Sequence, residues 1–332
     1  MAMNLSIGKP WITTALVAVA AAGALAGAAA QAADAYPNKT VRLVVPYGTG
    51  GGSDILARQI GAGLAPIWGQ GVAVENKAGA SGNIGSQDVV RAPGDGYTLL
   101  LQNSTMVSNL GLTGKLPYDA EKDLTPIMIL GVTPIALAAH PSVKISNVKE
   151  LIAIAKAKPD SLSYGSCGIG TPQHFVMELV KQKAGITATH AGYKGCAPAL
   201  QDVLGGQVPL AIVSANLVAP YAKSGRLKAV GVSTAQRYAL MPDTPTFEEQ
   251  GLKPFDFSIW YALMGPAKLP ADVVAKITAD VTKVLADPKV QENLSNAGVE
   301  VTKGSAQDLT KLIKEDTARY MQLAKSANIQ AE

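Results

Sequence analysis

A loop of small residues, Tyr47-Gly48-Thr49-Gly50-Gly51-Gly52-Ser53-Asp54, follows an apolar β-rich run that stops at Pro46. After it, Leu56, Ile60, Leu64 and Ile67 recur near helical spacing. The order is strand, glycine loop, helix N-terminus. Such a junction aims unpaired backbone N–H groups at one spot, with the positive end of the helix dipole behind them. An anion binds there without Arg or Lys. An ordinary tight βα turn has the same pattern, so both readings stand on the loop alone. Asp54 is placed to cap the helix and shape the loop. A second such junction is Gly165-Ser166-Cys167-Gly168-Ile169-Gly170, with Thr171 as the cap and Pro172 in the first turn. His174 then lies in that first turn. It either faces a cleft and donates to a ligand carboxylate or caps a local carbonyl. Lys194, in Gly192-Tyr193-Lys194-Gly195, reads as a solvated surface lysine. Trp260 and Tyr261 read as core or hinge packing.

Other chemistries lack their residues. None of His140, His174 and His190 pairs with another at metal-ligand spacing, and Cys167 and Cys196 form no C-x-x-C motif. There is no G-x-S-x-G elbow, no phosphate-binding G-x-x-x-x-G-K-[ST] and no G-x-G-x-x-G. A Ser/His/Asp site assembled from distant residues such as Ser53, His174 and Asp54 stays open. The formal charge of +4 is small and its basic residues are scattered, and aromatics make up only 5%. Nucleic acid is therefore not an expected partner.

These junctions need a repeating scaffold, and the chain supplies one. Val72–Glu75 is strand-like and leads through Asn76-Lys77-Ala78-Gly79-Ala80-Ser81-Gly82 into a helix from Asn83 to Arg91. Tyr97–Leu101 ends in Gln102-Asn103-Ser104-Thr105. Thr187–Ala191 leads into Gly192–Ala197, where Pro198 opens a helix that Gly205-Gly206 closes. Alternating strands and helices imply an α/β fold with doubly wound parallel sheets, whose ligands bind beyond the carboxyl ends of the strands. Two nearly uncharged stretches, Ile127–Ala139 and Phe257–Met264, suit strands that each pass between two lobes. The expected division is lobe 1 from 33–132 and 257–332, with lobe 2 from 133–256. Helices near Ala271–Ala286 and Ala306–Ala327 would pack on lobe 1. Ahead of this, Ile12–Ala30 is apolar and uncharged, and Ala30-Gln31-Ala32 fits a signal peptidase site. Residues 1–32 read as a secretory signal cut after Ala32, with a membrane anchor as the alternative.

The ordered motifs resemble the extracytoplasmic substrate-binding proteins of tripartite tricarboxylate transporters, the Bug family. They include Val45-Pro46-Tyr47 with the glycine loop, Val74-Glu75-Asn76-Lys77-Ala78-Gly79 and Gly94-Asp95-Gly96-Tyr97-Thr98-Leu99-Leu100. Leu116-Pro117-Tyr118-Asp119, Tyr164-Gly165-Ser166, Tyr193-Lys194-Gly195, Gly205-Gly206-Gln207 and Pro242-Asp243-Thr244-Pro245-Thr246 continue the set. The resemblance implies a type II periplasmic binding protein fold, two lobes joined by two crossover strands. It implies a monomer without cofactor, metal or catalytic residue, which captures a small carboxylate for inner-membrane transporter subunits. Tyr47, Thr49, Gly51, Gly52 and Ser53 would form one jaw, with Asp54 structural. Ser166, Thr171, His174 and Asn216 would form the other, and Ala80, Ser81, Asn83 and Ser104 would complete the site. A periplasmic serine hydrolase and a ligand-sensing module for a membrane signalling partner are the rival readings. Cys167 and Cys196 stand where such relatives carry small residues. In an oxidising compartment, at the ends of two strands of one lobe, they are expected to form a disulfide, with two buried thiols as the alternative.

Overall fold

Pro134 marks the place where one long strand changes partners. The computed structural model describes Met1 and residues 36–330, so the expected signal in residues 1–32 lies outside the described residues. Met1–Lys39 and Thr40–Glu332 are separate units, and the elements below belong to the second. In chain order they begin with β1 (Val41–Val45), α1 (Gly52–Trp68), β2 (Val72–Asn76), α2 (Asn83–Val90), β3 (Thr98–Asn103), α3 (Thr105–Thr113) and β4 (Leu124–Ala139). Then come α4 (Val148–Ala157), β5 (Ser163–Ser166), α5 (Pro172–Ala184), β6 (Thr189–Gly192), α6 (Cys196–Leu204), β7 (Leu210–Ser214), α7 (Ala215–Lys223) and β8 (Lys228–Val232). The chain ends with β9 (Ser258–Pro266), α8 (Ala271–Ala286), α9 (Pro288–Asn296), β10 (Glu300–Gly304) and α10 (Ala306–Ser326). Among the described residues no helix is long and apolar enough to cross a membrane.

The strand order is β2-β1-β3-β9-β4-β7-β5-β6, with β10 and β8 also on β4. The outer trios β2-β1-β3 and β7-β5-β6 are parallel. β4 pairs antiparallel with β9 as far as Pro134 opposite Ser258, then with β7 from Ile135 opposite Ser214. Proline offers no N–H to a ladder, so it suits a point where pairing is handed on. The return path runs through Ser233: its Oγ donates to the Phe257 carbonyl (2.6 Å) and accepts from the Ile135 N–H (3.0 Å). The apolar runs of β1, β3 and the second half of β4 are buried, as expected of strands covered on both faces. Two tryptophans tie the C-terminal helices to this framework: Trp68 Nε1 donates to Asp280 Oδ2 on α8 (2.9 Å), and Trp260 Nε1 to Asp316 Oδ2 on α10 (2.8 Å).

Local signals set most helix ends. Thr171 caps α5 by accepting from the His174 N–H, with Pro172 in the first turn, and Gly69 ends α1 in the left-handed region at φ 62°. Two expectations need correction. α6 starts at Cys196, not Pro198, because the cap is Gly195 and proline is tolerated within the first turn. α1 is capped by Gly51, not Asp54. α9 was not anticipated from its polar composition, although Asp287, whose carboxylate accepts from Lys289 and Val290 N–H, and Pro288 mark its start.

Candidate functional site

The strand ends of both parallel trios open on one cavity of about 600 Å³. α1, α3, α5, α6 and α7 all begin at its wall, contributing Gly52, Thr105, Gln173, Cys196 and Asn216 among its lining residues. α1, α6 and α7 have no side-chain cap bond at their starts, so their first N–H groups are left to solvent or a ligand. Among the described residues Lys194 is the sole charged residue of that lining, and no Asp or Glu belongs to it. The cavity is thus a field of positive helix ends without a competing carboxylate.

On the first wall, Asp54 lies in the first turn of α1 and reaches back to the Gly50 N–H (2.9 Å). Burial opposes its ionisation, but Arg58 at 2.9 Å and that N–H hold its carboxyl below the usual range. It therefore fixes the glycine loop without lining the cavity. Asn103 Nδ2 donates to Ser53 Oγ (3.1 Å), and Asn103 Oδ1 accepts from the Thr105 N–H (2.8 Å). Tyr261 donates to Thr133 Oγ1 (3.1 Å), which donates to the Gly298 carbonyl (2.9 Å). Tyr47 donates to Gln102 Oε1, and Gln102 Nε2 reaches Ser86 Oγ (2.8 Å), itself bonded to the Gly82 carbonyl (2.8 Å). That relay joins the 47–54 loop to the 79–83 loop.

On the second wall, Cys167 and Cys196 are disulfide-bonded, and both line the cavity. The Gly195 N–H donates to the Cys167 carbonyl (3.1 Å), so the loops after β5 and β6 are joined covalently and by hydrogen bond. The bond spans a sequence separation of 29 residues. The paired substitution Cys167→Ser with Cys196→Ser is expected to cost about 3–4 kcal/mol of unfolding free energy in the chain-entropy model, read by urea denaturation. Unchanged stability would refute the brace.

The residues expected at the site divide into three groups. Tyr47, Thr49, Gly51, Gly52, Ser53, Thr171 and Asn216 line the cavity. Ala80, Ser81 and Asn83 line an adjoining hollow that shares Cys167, Thr171 and Lys194 with it. Ser104, Ser166 and His174 line neither and are buried. The side chains of Ser166 and His174, expected at the site, thus face their own loop rather than either space. Ser166 Oγ is hydrogen-bonded to His190 Nε2 (2.7 Å), and the Gly170 N–H donates to His174 Nδ1 (3.3 Å). The two imidazoles stack with ring centres 3.8 Å apart beneath the 167–171 loop. His174 is occupied by its own loop. Asn103, Thr105, Thr133, Gln173, Ser214 and Tyr261 line the cavity but escaped the reading of individual residues, although the 103–105 loop was marked. Lys194 is exposed, as read from sequence, yet it also sits on the cavity wall.

The fold is that of α/β periplasmic binding proteins. The chain is similar to the periplasmic binding protein BugD (TM-score 0.78, 32% identity, covering 90% of this chain and 100% of that one). It is also similar to R. palustris Rpa4515, solved with adipate (TM-score 0.81, 31% identity, 89% and 99%). A UPF0065 protein of Bordetella bronchiseptica is 37% identical over 309 residues, 92% of this chain and 90% of that one. Residues 56–329 match the model of the tripartite tricarboxylate transporter family receptor, and the chain belongs to that family. It is a solute-binding receptor, not an enzyme.

Proposed function

We propose that this protein captures a small carboxylate in the cavity between lobe 1 (33–132 and 257–332) and lobe 2 (133–256). It delivers the ligand, as a monomer, to the inner-membrane subunits of a tripartite tricarboxylate-type transporter. Its secretory signal is cut after Ala32. One observation carries the reading: uncapped helix N-termini converge on a cavity that, among the described residues, no acidic side chain lines. One carboxylate oxygen set meets N–H groups near Gly51, Gly52 and Ser53, and the other wall closes over it through Thr171 and Asn216. Fixed amide dipoles need little ordering on binding, which favours affinity for a small ligand. The adipate bound to Rpa4515 supports the chemical class.

A thermal-shift screen of aliphatic acids against their neutral amides tests this. Ligands selective for the folded state raise Tm by mass action. Acids are expected to raise it by several degrees at millimolar concentration, and amides to leave it unchanged. Equal shifts with amides would sink the anion argument.

A further inference from the structure

Gln173, in the first turn of α5, is only 5% exposed, yet it belongs to the cavity wall beside Cys196 and Ser214. Its Nε2 makes two long contacts, 3.4 Å to Ser214 Oγ and 3.6 Å to Cys196 Sγ. Among the described residues no donor reaches its Oε1. That oxygen is not enclosed, so with the rest of the residue buried it opens on the cavity. Asn216, on the same wall, repeats the pattern: its Nδ2 donates to the Ala297 carbonyl (2.9 Å), and its Oδ1 has no donor. We infer that Gln173 is a specificity-determining residue, whose amide oxygen accepts from a neutral hydroxyl carried by the ligand near its carboxylate. This recognition rests on the carboxylate reading above and names the ligand class within it, a hydroxycarboxylate.

The two walls call for opposite partners. A carboxylate only accepts hydrogen bonds, so it suits the N–H groups near Gly51, Gly52 and Ser53 and is repelled by an amide oxygen. The Gln173 oxygen needs a donor, because a polar atom taken out of water without a partner is costly. A ligand that sets a carboxylate against the first wall and an O–H against the second satisfies both. The charge of the donor follows from the field. The starts of α1, α6 and α7 are positive, and among the described residues no Asp or Glu lines the cavity, so an ammonium would meet no counter-charge. A hydroxyl carries no such penalty. The amide is also held ready. Gln173 sits between Pro172 and His174 in a turn capped by Thr171, and its nitrogen abuts the Cys167–Cys196 bond. Little ordering is then needed on binding. A site built to hydrogen-bond a ligand hydroxyl discriminates against the analogue lacking it, since the buried acceptor is left unpaired.

Isothermal titration of the periplasmic protein tests this with matched sets of acids from propanoate to adipate. Each set holds the unsubstituted acid and its hydroxy and amino derivatives, substituted next to the carboxylate or one carbon further. The wild type is expected to bind its best hydroxy acid about five- to tenfold more tightly than the unsubstituted counterpart, as one neutral hydrogen bond gives. Gln173→Met keeps the length of the side chain and removes the amide. It is expected to lower hydroxy-acid affinity about fivefold and to leave the unsubstituted acid within about twofold. The wild-type comparison stands even where the variant does not fold. Equal wild-type binding of hydroxy and unsubstituted acids, or equal weakening of both by Gln173→Met, overturns the role of Gln173 and leaves the carboxylate reading in place. Tighter binding of the amino acid than of the hydroxy acid overturns the neutral donor. If no acid binds the wild type, the carboxylate reading fails and this recognition falls with it.

Discussion

Gly298→Ala is expected to lower the unfolding free energy by about 3–5 kcal/mol, the sum of a left-handed backbone cost and overpacking. Gly298 takes φ +81°, and an added Cβ would lie 2.0 Å from Asn216 Cβ and 2.9 Å from Tyr238 Oη. The clash cannot relax through a flexible tip, because it involves the Cβ of a residue at the start of α7. Asn216 Nδ2 also donates to the Ala297 carbonyl (2.9 Å), and the Gly298 carbonyl accepts from Thr133 (2.9 Å). Ala297, Thr133 and Asn216 all line the cavity, so the same change should distort the site. Gly225→Ala is the control: its φ is +70°, with no atom within 4 Å of the added Cβ. It should cost only the backbone term, about 1 kcal/mol. Urea denaturation of both variants reads the difference. Equal losses in the two would show that the close approach of Gly298 to Asn216 carries no energy.

Acidification from pH 6.5 to 4 is expected to strip several kcal/mol of stability through the stacked imidazoles beneath the 167–171 loop. Burial, then the neighbouring His190 and Lys181, hold His174 down to about 3. Burial and Lys181 hold His190 down to about 4, against the opposing pull of Glu178. Glu178 also accepts from Tyr164 (2.6 Å) and pairs with Lys181 (2.7 Å), so it is already engaged. Both histidines are less basic folded than unfolded. Below pH 6.5 the unfolded chain therefore binds more protons, and stability falls as the pH drops toward the folded values. Above 6.5 the full stability is present. The combined loss is of the order of 5 kcal/mol at about 1.4 kcal/mol per pH unit per group, with some reduction because the rings interact. Protonating His174 at Nδ1 would also oppose the Gly170 N–H that donates to it. The double variant His174→Asn with His190→Gln removes both titrations while keeping acceptors near Gly170 and Ser166. Its unfolding free energy from urea denaturation should vary much less between pH 6.5 and 4. An unaltered pH slope would refute the assignment. Asp280 acts in a separate, lower window: burial opposes its ionisation, but Lys276, Lys283 and Trp68 hold it down to about 2. Its contribution is lost only as the pH falls from 3.8 toward 2.

Much of the architecture was legible because it is encoded locally. The strand-to-helix junctions at 45–53 and 166–172 announce themselves through period, glycine and cap chemistry, since each depends on residues a few positions apart. Thr171 with Pro172 needed no tertiary information to mark the start of α5. The glycine loop likewise placed Gly51, Gly52 and Ser53 on the cavity wall. The facing of individual side chains was not local. Ser166 and His174 sit on the right loop, yet His190, distant in sequence, takes the Ser166 hydroxyl and stacks on His174, turning both inward. Thr133 and Tyr261 reach the cavity only because β4 and β9 pair across a long separation in the chain. Lys194 looked like any surface lysine in one dimension. Its place between two spaces arises because the loops after β5 and β6 are brought together by strand pairing and the Cys167–Cys196 bond. The sequence by itself determined where helices begin and which loops are rich in free N–H groups, because short-range geometry suffices for both. Only the tertiary structure decided which of those loops meet and which side chains point into the space between them, because that depends on contacts between residues far apart in the chain.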